Sequence, residues 1–342
     1  MIISRDELSR RCFSRGDRLV LSNPFYEESV QSLTNSLLRQ DLANRDITTK
    51  LFDLGSRRGR AEISAKESGV VAGLAESAWL YSRYGARAVI HKIDGDAIEP
   101  GEKLLTIEGD GEHVLALERL ALNLLQRMSG VATMTRQMQE RVRRASRSVS
   151  VVATRKTPWG LLDKRAVHLG GGGTHRLGLG DAILLKNNHL ALFGSREEES
   201  ARICIEQAWE SREVGAFIEV EVRTTEGGLA AARTFRKLRA VAATSYPCVV
   251  MLDNWAPEAV AAFTQKLFEE RLWEHVLLEV SGGITEANVT AYAESGVDAI
   301  SVGALTHSCR ALDISQQLYL VEGTHNVDRT RAIRDAVYPP AD

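Results

Sequence analysis

The stretch VLLEVSGGITEANVTAYAESGVDAISVG, residues 276–303, contains the repeating unit that decides the fold. It begins with an apolar run, continues through a segment of helix length and ends in a second apolar run. Thr285 is suited to cap the start of the intervening helix, and Gly296 is suited to end it. Because strands that are buried on both faces occur in parallel sheets covered by helices, this unit predicts a parallel β-α-β arrangement.

Four similar apolar runs precede this unit between residues 148 and 253. Together they make six predicted strands, with helix-like segments between most of them, one of which carries Pro257 in its first turn. Such a series forms either an open doubly wound sheet or a barrel. The four runs are VSVVATRK, ending near Lys156, DAILLK, ending at Lys186, FIEVEV, containing Glu221, and CVVMLD, ending at Asp253.

The residues at the strand ends favour the barrel. The carboxyl ends of barrel strands share one mouth, whereas an open sheet gathers its polar groups at one switch point and usually follows its first strand with G-x-G-x-x-G. No such fingerprint follows a predicted strand here. The strand ends instead carry polar side chains in five of six cases, namely Arg155 and Lys156, Lys186, Glu221, Asp253 and Ser281, and the sixth ends in Gly303.

The first part of the chain, to about residue 113, mixes element types. Residues 26–42 predict a helix, residues 60–73 alternate as strands broken by glycine turns, and residues 94–109 predict a turn, a strand and a turn. A further helix is predicted in LALERLALNLLQRM, residues 115–128. Its apolar stripe comprises Leu117, Leu120, Ala121, Leu124, Leu125 and Met128, and its polar face carries Arg119, Asn123 and Gln126.

Length and composition exclude several classes of protein. The chain has 342 residues, enough for about two domains of about 150 residues each. Its apolar fraction of 44% and charged fraction of 26% are ordinary for a globular protein, and a net charge of −2 does not favour nucleic acid or a membrane surface as partner. We expect neither a membrane span nor a signal peptide. Four scattered cysteines predict reduced thiols in a cytoplasmic protein, without a zinc site.

Positive side chains gather at the predicted mouth. The segment GGGGTHRLGLGDAILLKNNH, residues 170–189, places four glycines before His175 and Arg176 and ends an apolar run at Lys186. With Arg155 and Lys156 these make five cations, which would repel one another unless an anion lay between them. We therefore expect a substrate with several negative charges, although each cation alone also fits a solvated or salt-bridged surface position.

Acidic residues and glycines complete the predicted mouth. Glu221 and Asp253 end consecutive strands, so they could hold Mg²⁺ beside phosphates, accept hydrogen bonds from ribose hydroxyls, or pair with the basic neighbours. The sequences SGGIT and SVGALT follow the last two strands. Their glycines would allow backbone N–H groups to approach a phosphate, although ordinary turns require glycine too.

Together these motifs closely resemble the quinolinate phosphoribosyltransferase family. The resemblance covers roughly residues 41–318. In the barrel part it rests on ATRKT (153–157), residues 170–189, EVEV (219–222), MLDN (251–254), EVSGGI (279–284) and ISVGALTHS (300–308), and before it on RDIT (45–48), GVVAG (69–73) and ERLALNLLQRMSGVAT (118–133).

The resemblance implies an α/β fold with an N-terminal α/β sandwich domain and an incomplete six-stranded TIM-like α/β barrel. The expected organisation is an N-terminal extension at 1–25, the sandwich at 26–130 joined by the C-terminal segment 312–342, and the barrel at 131–311. The implied reaction joins quinolinate to 5-phosphoribosyl 1-diphosphate with decarboxylation. It gives nicotinate mononucleotide, diphosphate and CO₂ in de novo NAD biosynthesis, with Mg²⁺ as cofactor.

The resemblance also implies roles for single residues. The catalytic group would be Lys156, Lys186, Glu221 and Asp253, of which the two acids are associated with ribose and, directly or indirectly, with Mg²⁺. Arg119 would enter the site from the neighbouring subunit of a homodimer. The remaining substrate-binding positions would be Thr154, Arg155, His175 and Arg176 for quinolinate and Ser281, Gly282, Gly283 and Gly303 for the 5-phosphate.

Three other functions fit parts of the pattern. A paralogous family related to molybdenum transport shares HRLGL but typically lacks the lysine found here as Lys186. A Schiff-base aldolase would use Lys186 or Lys156 as nucleophile, which borohydride trapping would detect. A non-catalytic anion sensor could share the fold, since fold does not determine function, and it would release no diphosphate.

Overall fold

The structure is a computed structural model that describes residues 4–41, 46–51 and 57–321. The helices of these segments are α1 (Arg5–Phe13), α2 (Pro24–Asp41), α3 (Ile47–Lys50), α4 (Leu74–Arg83), α5 (Gly111–Ala145), α6 (Leu161–Leu169), α7 (Asn187–Leu190), α8 (Glu197–Glu210), α9 (Thr225–Val241), α10 (Pro257–Glu269), α11 (Val289–Glu294) and α12 (Ala304–His307). The strands are β1 (Arg58–Ala65), β2 (Gly69–Val70), β3 (Arg87–Ile90), β4 (Ala97–Ile98), β5 (Lys103–Asp110), β6 (Ser150–Val152), β7 (Ile183–Leu185), β8 (Ile218–Val222), β9 (Cys248–Asp253), β10 (Leu277–Ser281), β11 (Ala299–Ser301) and β12 (Ile314–Leu320).

The chain divides into two compact units. The barrel unit comprises Met1–Gly16, Thr135–Pro158 and Gly171–Ser308, and the sheet unit comprises Asp17–Met134, Trp159–Gly170 and Cys309–Asp342. The domain limits drawn from the sequence, at 1–25, 26–130 with 312–342, and 131–311, stay a prediction. Residues 322–342 and Arg45 of the RDIT motif lie outside the described residues.

The sheet unit is built on a four-stranded antiparallel sheet. Its strand order is β12-β1-β5-β3, so a strand from near the end of the chain pairs with the first one. In β1 the buried residues alternate with exposed or half-buried ones, because successive side chains of a strand point to opposite faces. Helix α2 confirms the helix predicted from residue 26, and the six apolar residues of the stripe on α5 are all buried, as predicted.

The barrel unit contains six parallel strands in the order β6-β11-β10-β9-β8-β7. Strands that follow one another from β7 to β11 are neighbours, and the last strand pairs with β6, the first. This is the strand order of a barrel that is open between its first and second strands, and an isolated parallel bridge from Val152 to Gly173 lies on that side of β6. The incomplete TIM-like barrel is therefore confirmed.

Two predicted helix starts in the barrel unit have different outcomes. Helix α10 begins at Pro257, as predicted. The helix expected to begin after Thr285 was placed too early, because α11 begins at Val289. Asn288 explains the delay: its Oδ1 accepts from the Thr285 N–H at 2.8 Å and its Nδ2 donates to the Gly283 carbonyl at 3.0 Å, so residues 283–288 form a turn. The helix ends before Gly296, which is left-handed at φ +87°.

Helix α1 packs against the amino-terminal ends of the barrel strands. Its residues Cys12 and Phe13 are buried in one apolar cluster with residues from or just before the strands, namely Val152, Ala182, Phe217, Val249, Leu277 and Ala299. Burying a large apolar side chain contributes about 1.5–3 kcal/mol, so Phe13 alone is a substantial anchor. The end of α1 therefore lies against the amino-terminal ends of β7 to β11, opposite to the mouth predicted from the sequence, and also contacts the last residue of β6, Val152. Across the described segments, no helix is both long and apolar enough to span a membrane.

Candidate active site

The structure places most predicted site residues at the carboxyl ends of the six parallel strands. Asp253 and Ser281 are the last residues of β9 and β10 and lie opposite each other in the register. Glu221 is the penultimate residue of β8, and Lys186 follows β7 directly. Because the strands are parallel, these positions share one edge of the sheet. The same edge carries Thr154, Arg155 and Lys156 after β6, Gly282 and Gly283 after β10, and Gly303 after β11.

Glu221 lies close to both Asp253 and Lys186. Burial raises the pKa of Glu221, and repulsion from the Asp253 carboxylate raises it further. The pKa of Glu221 is lowered, to a smaller extent, by Lys186, by the backbone N–H of Asn187 and by Arg223. The two acids therefore form a concentrated negative charge with a lysine beside it, as their strand positions predict.

Arg223 is a residue of this edge that the sequence analysis missed. Its Nε donates to Asp253 Oδ2 at 3.2 Å, and the other oxygen of Asp253 accepts from Asn254 Nδ2 at 2.9 Å. The position of Arg223, immediately after β8, could have identified it. A cavity of about 510 Å³ lies here, lined by Arg223, Thr225, Asp253, Asn254, Trp255 and Ala259.

The turn after β10 requires glycine at Gly282. This residue is left-handed at φ +99°, and a Cβ added to it would collide with the Asn254 side chain and come within 3.1 Å of the Asn254 backbone nitrogen. Asn254 is itself left-handed at φ +61°, and its N–H donates to the Ser281 carbonyl at 2.8 Å. Gly283, also left-handed at φ +62°, faces open space instead. The backbone after β10 therefore stays accessible at the strand edge.

Lys156 links the ends of β6 and β11. A Cβ added to Gly303 would lie 3.4 Å from Lys156 Cδ, so the lysine side chain passes over this glycine. The Lys156 carbonyl accepts from Thr306 Oγ1 at 2.8 Å, and its N–H donates to Thr154 Oγ1 at 3.1 Å. Lys156 is exposed as a residue, which leaves its side chain accessible to an anion.

Arg176 is buried close to another cation. Only 6% of the residue is exposed, and its Nη1 donates to the Ala182 carbonyl at 3.1 Å. Burial lowers the pKa of Arg176, and the positive charge of Arg155 lowers it further. An arginine with a lowered pKa next to a second guanidinium is a site that an anion would stabilise.

His175, predicted to bind substrate, has its imidazole buried between two glutamates. Its Nε2 lies 3.1 Å from Glu219 Oε2 and 3.0 Å from Glu279 Oε2, and both carboxylates are fully buried. Burial alone lowers the pKa of His175, but the two carboxylates outweigh it and raise the pKa to about 9. Burial raises the pKa of Glu219, and Glu279 raises it further. In this structure the ring of His175 therefore faces acids instead of an open mouth.

The pair Glu219 and Glu279 is the second feature that the sequence analysis missed. Strand side chains alternate, so Glu219 lies on the same face as Glu221 and Glu279 on the same face as Ser281, and this spacing could have revealed both. The ligand-type atoms of His175, Glu219 and Glu279 lie within 4.8 Å of one another, a spacing that a metal ion could occupy. The imidazole Nε2 is already at hydrogen-bond distance from both acids, and Nδ1 accepts from the Arg176 N–H at 2.7 Å. A histidine that carries its proton on Nε2, between the two acids, therefore also accounts for this group.

Arg119 lies on α5, in the part of the helix that belongs to the sheet unit. It is exposed, on the face of the helix opposite the buried stripe that contains Leu117, Leu120 and Leu124. This agrees with its predicted place on the polar face of the helix.

Comparisons with known proteins identify the family. Residues 131–317 match the family model described as "Quinolinate phosphoribosyl transferase, C-terminal domain", and residues 46–129 match the corresponding N-terminal domain. A protein of Methanothermobacter thermautotrophicus named "Probable nicotinate-nucleotide pyrophosphorylase [carboxylating]" is 35% identical over 292 residues, which is 84% of this chain and 99% of that protein. A protein of the same name from Bacillus subtilis is 36% identical over 299 residues, covering 85% and 94%.

Solved structures agree with these sequence matches. A crystal structure of NadC from Streptococcus pyogenes is similar with a TM-score of 0.73 and 30% identity, and the match covers 86% of this chain and 98% of that one. The nicotinate-nucleotide pyrophosphorylase from Francisella tularensis gives a TM-score of 0.72 at 28% identity, covering 85% and 96%. With both family domains matched in order over most of its length, the chain belongs to the quinolinate phosphoribosyltransferase family.

Proposed function

We propose that this chain transfers the phosphoribosyl group of 5-phosphoribosyl 1-diphosphate to quinolinate with decarboxylation, giving nicotinate mononucleotide, diphosphate and CO₂ in NAD biosynthesis. Relatives that carry the name of this activity match nearly their whole length to this chain. The observation that carries the proposal is the composition of one strand edge: guanidinium and ammonium groups beside a pair of acids, Glu221 and Asp253. A dicarboxylate together with a sugar polyphosphate supplies the anions that this edge requires.

The cations would bind and orient quinolinate. Arg155, Arg176 and Lys156 are suited to hold its two carboxylates, with Thr154 and His175 supporting them. The proximity of Arg155 lowers the pKa of Arg176, and a bound dianion would relieve this repulsion. Fixing both carboxylates directs the ring nitrogen toward the anomeric carbon, and such orientation can lower a barrier by several kcal/mol.

The acids and Lys186 would stabilise the charges that develop during the transfer. As the bond from the anomeric carbon to diphosphate breaks, the sugar becomes cationic, and Glu221 and Asp253 lie where they could stabilise it. Lys186 would neutralise the departing diphosphate. The ring nitrogen supplies the electron pair of the new bond. The bond to the 2-carboxylate then breaks, CO₂ leaves, and the electron pair left on that carbon, held beside the cationic nitrogen, takes up a proton.

Mg²⁺ is the proposed cofactor, and the donor set suits it. Mg²⁺ prefers oxygen ligands and usually keeps several waters while using one or two carboxylates. Glu221 and Asp253 provide such a pair on neighbouring strands, and the pKa of Glu221 is raised partly by Asp253, a repulsion that a cation would reduce. Glu221 and Asp253 would hold the ion directly or through water, where it would offset the charge of the diphosphate.

The loops after the last two strands are proposed as the 5-phosphate cradle. Ser281, Gly282 and Gly283 would contribute a hydroxyl and accessible backbone, and Gly303 lies beside Lys156. We further propose a cytoplasmic homodimer, in which Arg119 of one protomer completes the partner's site.

A direct assay tests the proposed function. Purified protein is incubated with quinolinate, 5-phosphoribosyl 1-diphosphate and Mg²⁺, and the loss of quinolinate and the release of diphosphate are measured. We expect equimolar turnover that requires both substrates and stops when EDTA removes Mg²⁺. Binding of quinolinate without diphosphate release would favour an anion sensor. A borohydride-trapped adduct at Lys186 or Lys156 would favour a Schiff-base aldolase.

A further inference from the structure

The N-terminal segment, residues 4–16, ends against the loop that carries Arg176. At its beginning it is fixed to the barrel unit by Arg5, which donates from Nε and Nη2 to the two carboxylate oxygens of Asp298 at 2.7 and 2.6 Å. The Arg5 guanidinium also lies 3.5 Å from the centre of the Trp273 ring. The segment therefore has an anchor that is independent of the contacts at its other end.

On the amino-terminal side of Arg176, the segment holds the loop backbone directly. The His175 N–H donates to the Phe13 carbonyl at 2.9 Å, and the Arg15 N–H donates to Thr174 Oγ1 at 3.0 Å. A Cβ at Gly173 would lie 2.6 Å from the Phe13 carbonyl oxygen, so the close approach requires glycine there. These contacts explain one glycine of the run that the sequence analysis singled out.

On the carboxyl-terminal side of Arg176, the N-terminal segment contacts the loop through an ion pair. Arg15 Nη1 lies 2.7 Å from Asp181 Oδ1, and both side chains are largely buried, with 7% and 14% exposed. The second oxygen of Asp181 accepts from the Leu177 N–H at 2.8 Å. Arg15 therefore fixes the position of the Asp181 carboxylate. That carboxylate in turn binds the backbone N–H of Leu177, the residue after Arg176.

The loop between these two attachments has a conformation that needs support. His175 is left-handed at φ +50°, which a residue with a Cβ keeps only when its surroundings determine it. Its Nδ1 accepts from the Arg176 N–H at 2.7 Å, while its other nitrogen faces Glu219 and Glu279. The backbone of Arg176 is thus fixed by His175 before it and by Leu177 after it.

We propose that the N-terminal segment is a positioning element for quinolinate binding, and that Arg15 is its central positioning residue, acting through Asp181 and the 174–177 loop on Arg176. The inference rests on the proposed function, in which Arg176 holds a carboxylate of quinolinate. In this role Arg15 has no contact with substrate of its own. Its effect is to keep the Arg176 guanidinium at one place, since a small displacement of a positioned group has a large cost.

The test compares Arg15→Met with Arg5→Met. Both changes remove a guanidinium from an ion pair of the same N-terminal segment, but only Arg15 is connected to the loop. For Arg15→Met we expect the Kd of quinolinate by calorimetry, and its KM, to rise about tenfold, with the KM of phosphoribosyl diphosphate unchanged within about twofold. For Arg5→Met we expect a lower Tm and no change in either constant.

Asp181→Asn is the second variant, for the case in which Arg15→Met does not fold. The amide oxygen can still accept from the Leu177 N–H, but the charge that attracts Arg15 is lost, so the Kd of quinolinate should rise in the same direction. An active wild type combined with an unchanged Kd in the folded variants would overturn the inference. An equal rise of the quinolinate Kd in Arg5→Met would show that the rise comes from general destabilisation, and it would also overturn the inference. A wild type that neither binds nor consumes quinolinate would overturn the proposed function, and the inference with it.

Discussion

Replacing Asp253 by asparagine tests the electrostatic role of the acid pair. The change keeps the size of the side chain and its capacity to bond with Asn254, but it removes the negative charge. If Asp253 stabilises the cationic sugar of the transition state, turnover should fall while quinolinate binding is largely kept. The affinity should persist because the proposed carboxylate-binding cations are other residues.

The expected magnitude follows from the surroundings of the carboxylate. Two unit charges about 4 Å apart interact by about 4 kcal/mol at an effective dielectric constant of about 20. The Asp253 side chain is 15% exposed, and Arg223 at 3.2 Å already offsets part of its charge. The developing cation also carries only part of a unit charge. We therefore expect a loss of about 2.7 kcal/mol, which is a fall in kcat of about 10²-fold.

The assay is steady-state diphosphate release with quinolinate and phosphoribosyl diphosphate both varied. The control is Glu270→Gln, which removes another arginine-paired carboxylate, bound by Arg233 at 2.8 and 2.6 Å at the end of α10. This variant should keep kcat. If Asp253→Asn retains near-normal kcat at saturating Mg²⁺, the charge of Asp253 does not act on the transition state and the reasoning is wrong.

Two other predictions address the substrate and the assembly. Nicotinic acid should be consumed far more slowly than quinolinate, because Arg155 and Arg176 would lack one carboxylate partner, and leaving the buried Arg176 unpaired costs about 1–3 kcal/mol or more. Equal turnover of the two acids would refute the proposed binding of both carboxylates by these cations. Mixing inactive Arg119→Ala with inactive Lys186→Ala and allowing exchange should restore activity towards about half of wild type per heterodimer, because one of two composite sites is intact; zero activity after exchange verified by mass spectrometry would refute the shared site.

The strand ends were predictable because they depend on local sequence. A buried apolar run that stops at a charged or glycine residue defines the end of a strand, and parallel strands bring such ends to one edge, so Lys186, Glu221, Asp253 and Ser281 could be grouped without a structure. The start of α11 was not predictable from Thr285 alone. Asn288 competes for the same backbone groups and delays the helix.

The orientation of His175 and the role of the chain start depend on distant contacts. The imidazole faces Glu219 and Glu279, which belong to two strands that lie far from His175 in the sequence. The attachment of Phe13 and Arg15 to the 174–177 loop joins residues about 160 positions apart. Residue patterns describe one element at a time, so contacts of this kind require the fold.

The pairing of β12 with β1 has a consequence for the synthesis of the protein on the ribosome. Ala65 pairs with Ile314 and Gly59 with Leu320, so β1 is an interior strand only after the last strand has been made. At about 5–20 residues per second, synthesis of the about 200 residues between β5 and β12 takes roughly 10–40 s. During that interval β1 presents an unpaired edge, which can pair with another nascent chain. A premature stop after residue 301 and before residue 314 would make that exposure permanent while leaving all six barrel strands encoded, so such a truncated product should aggregate through its sheet unit.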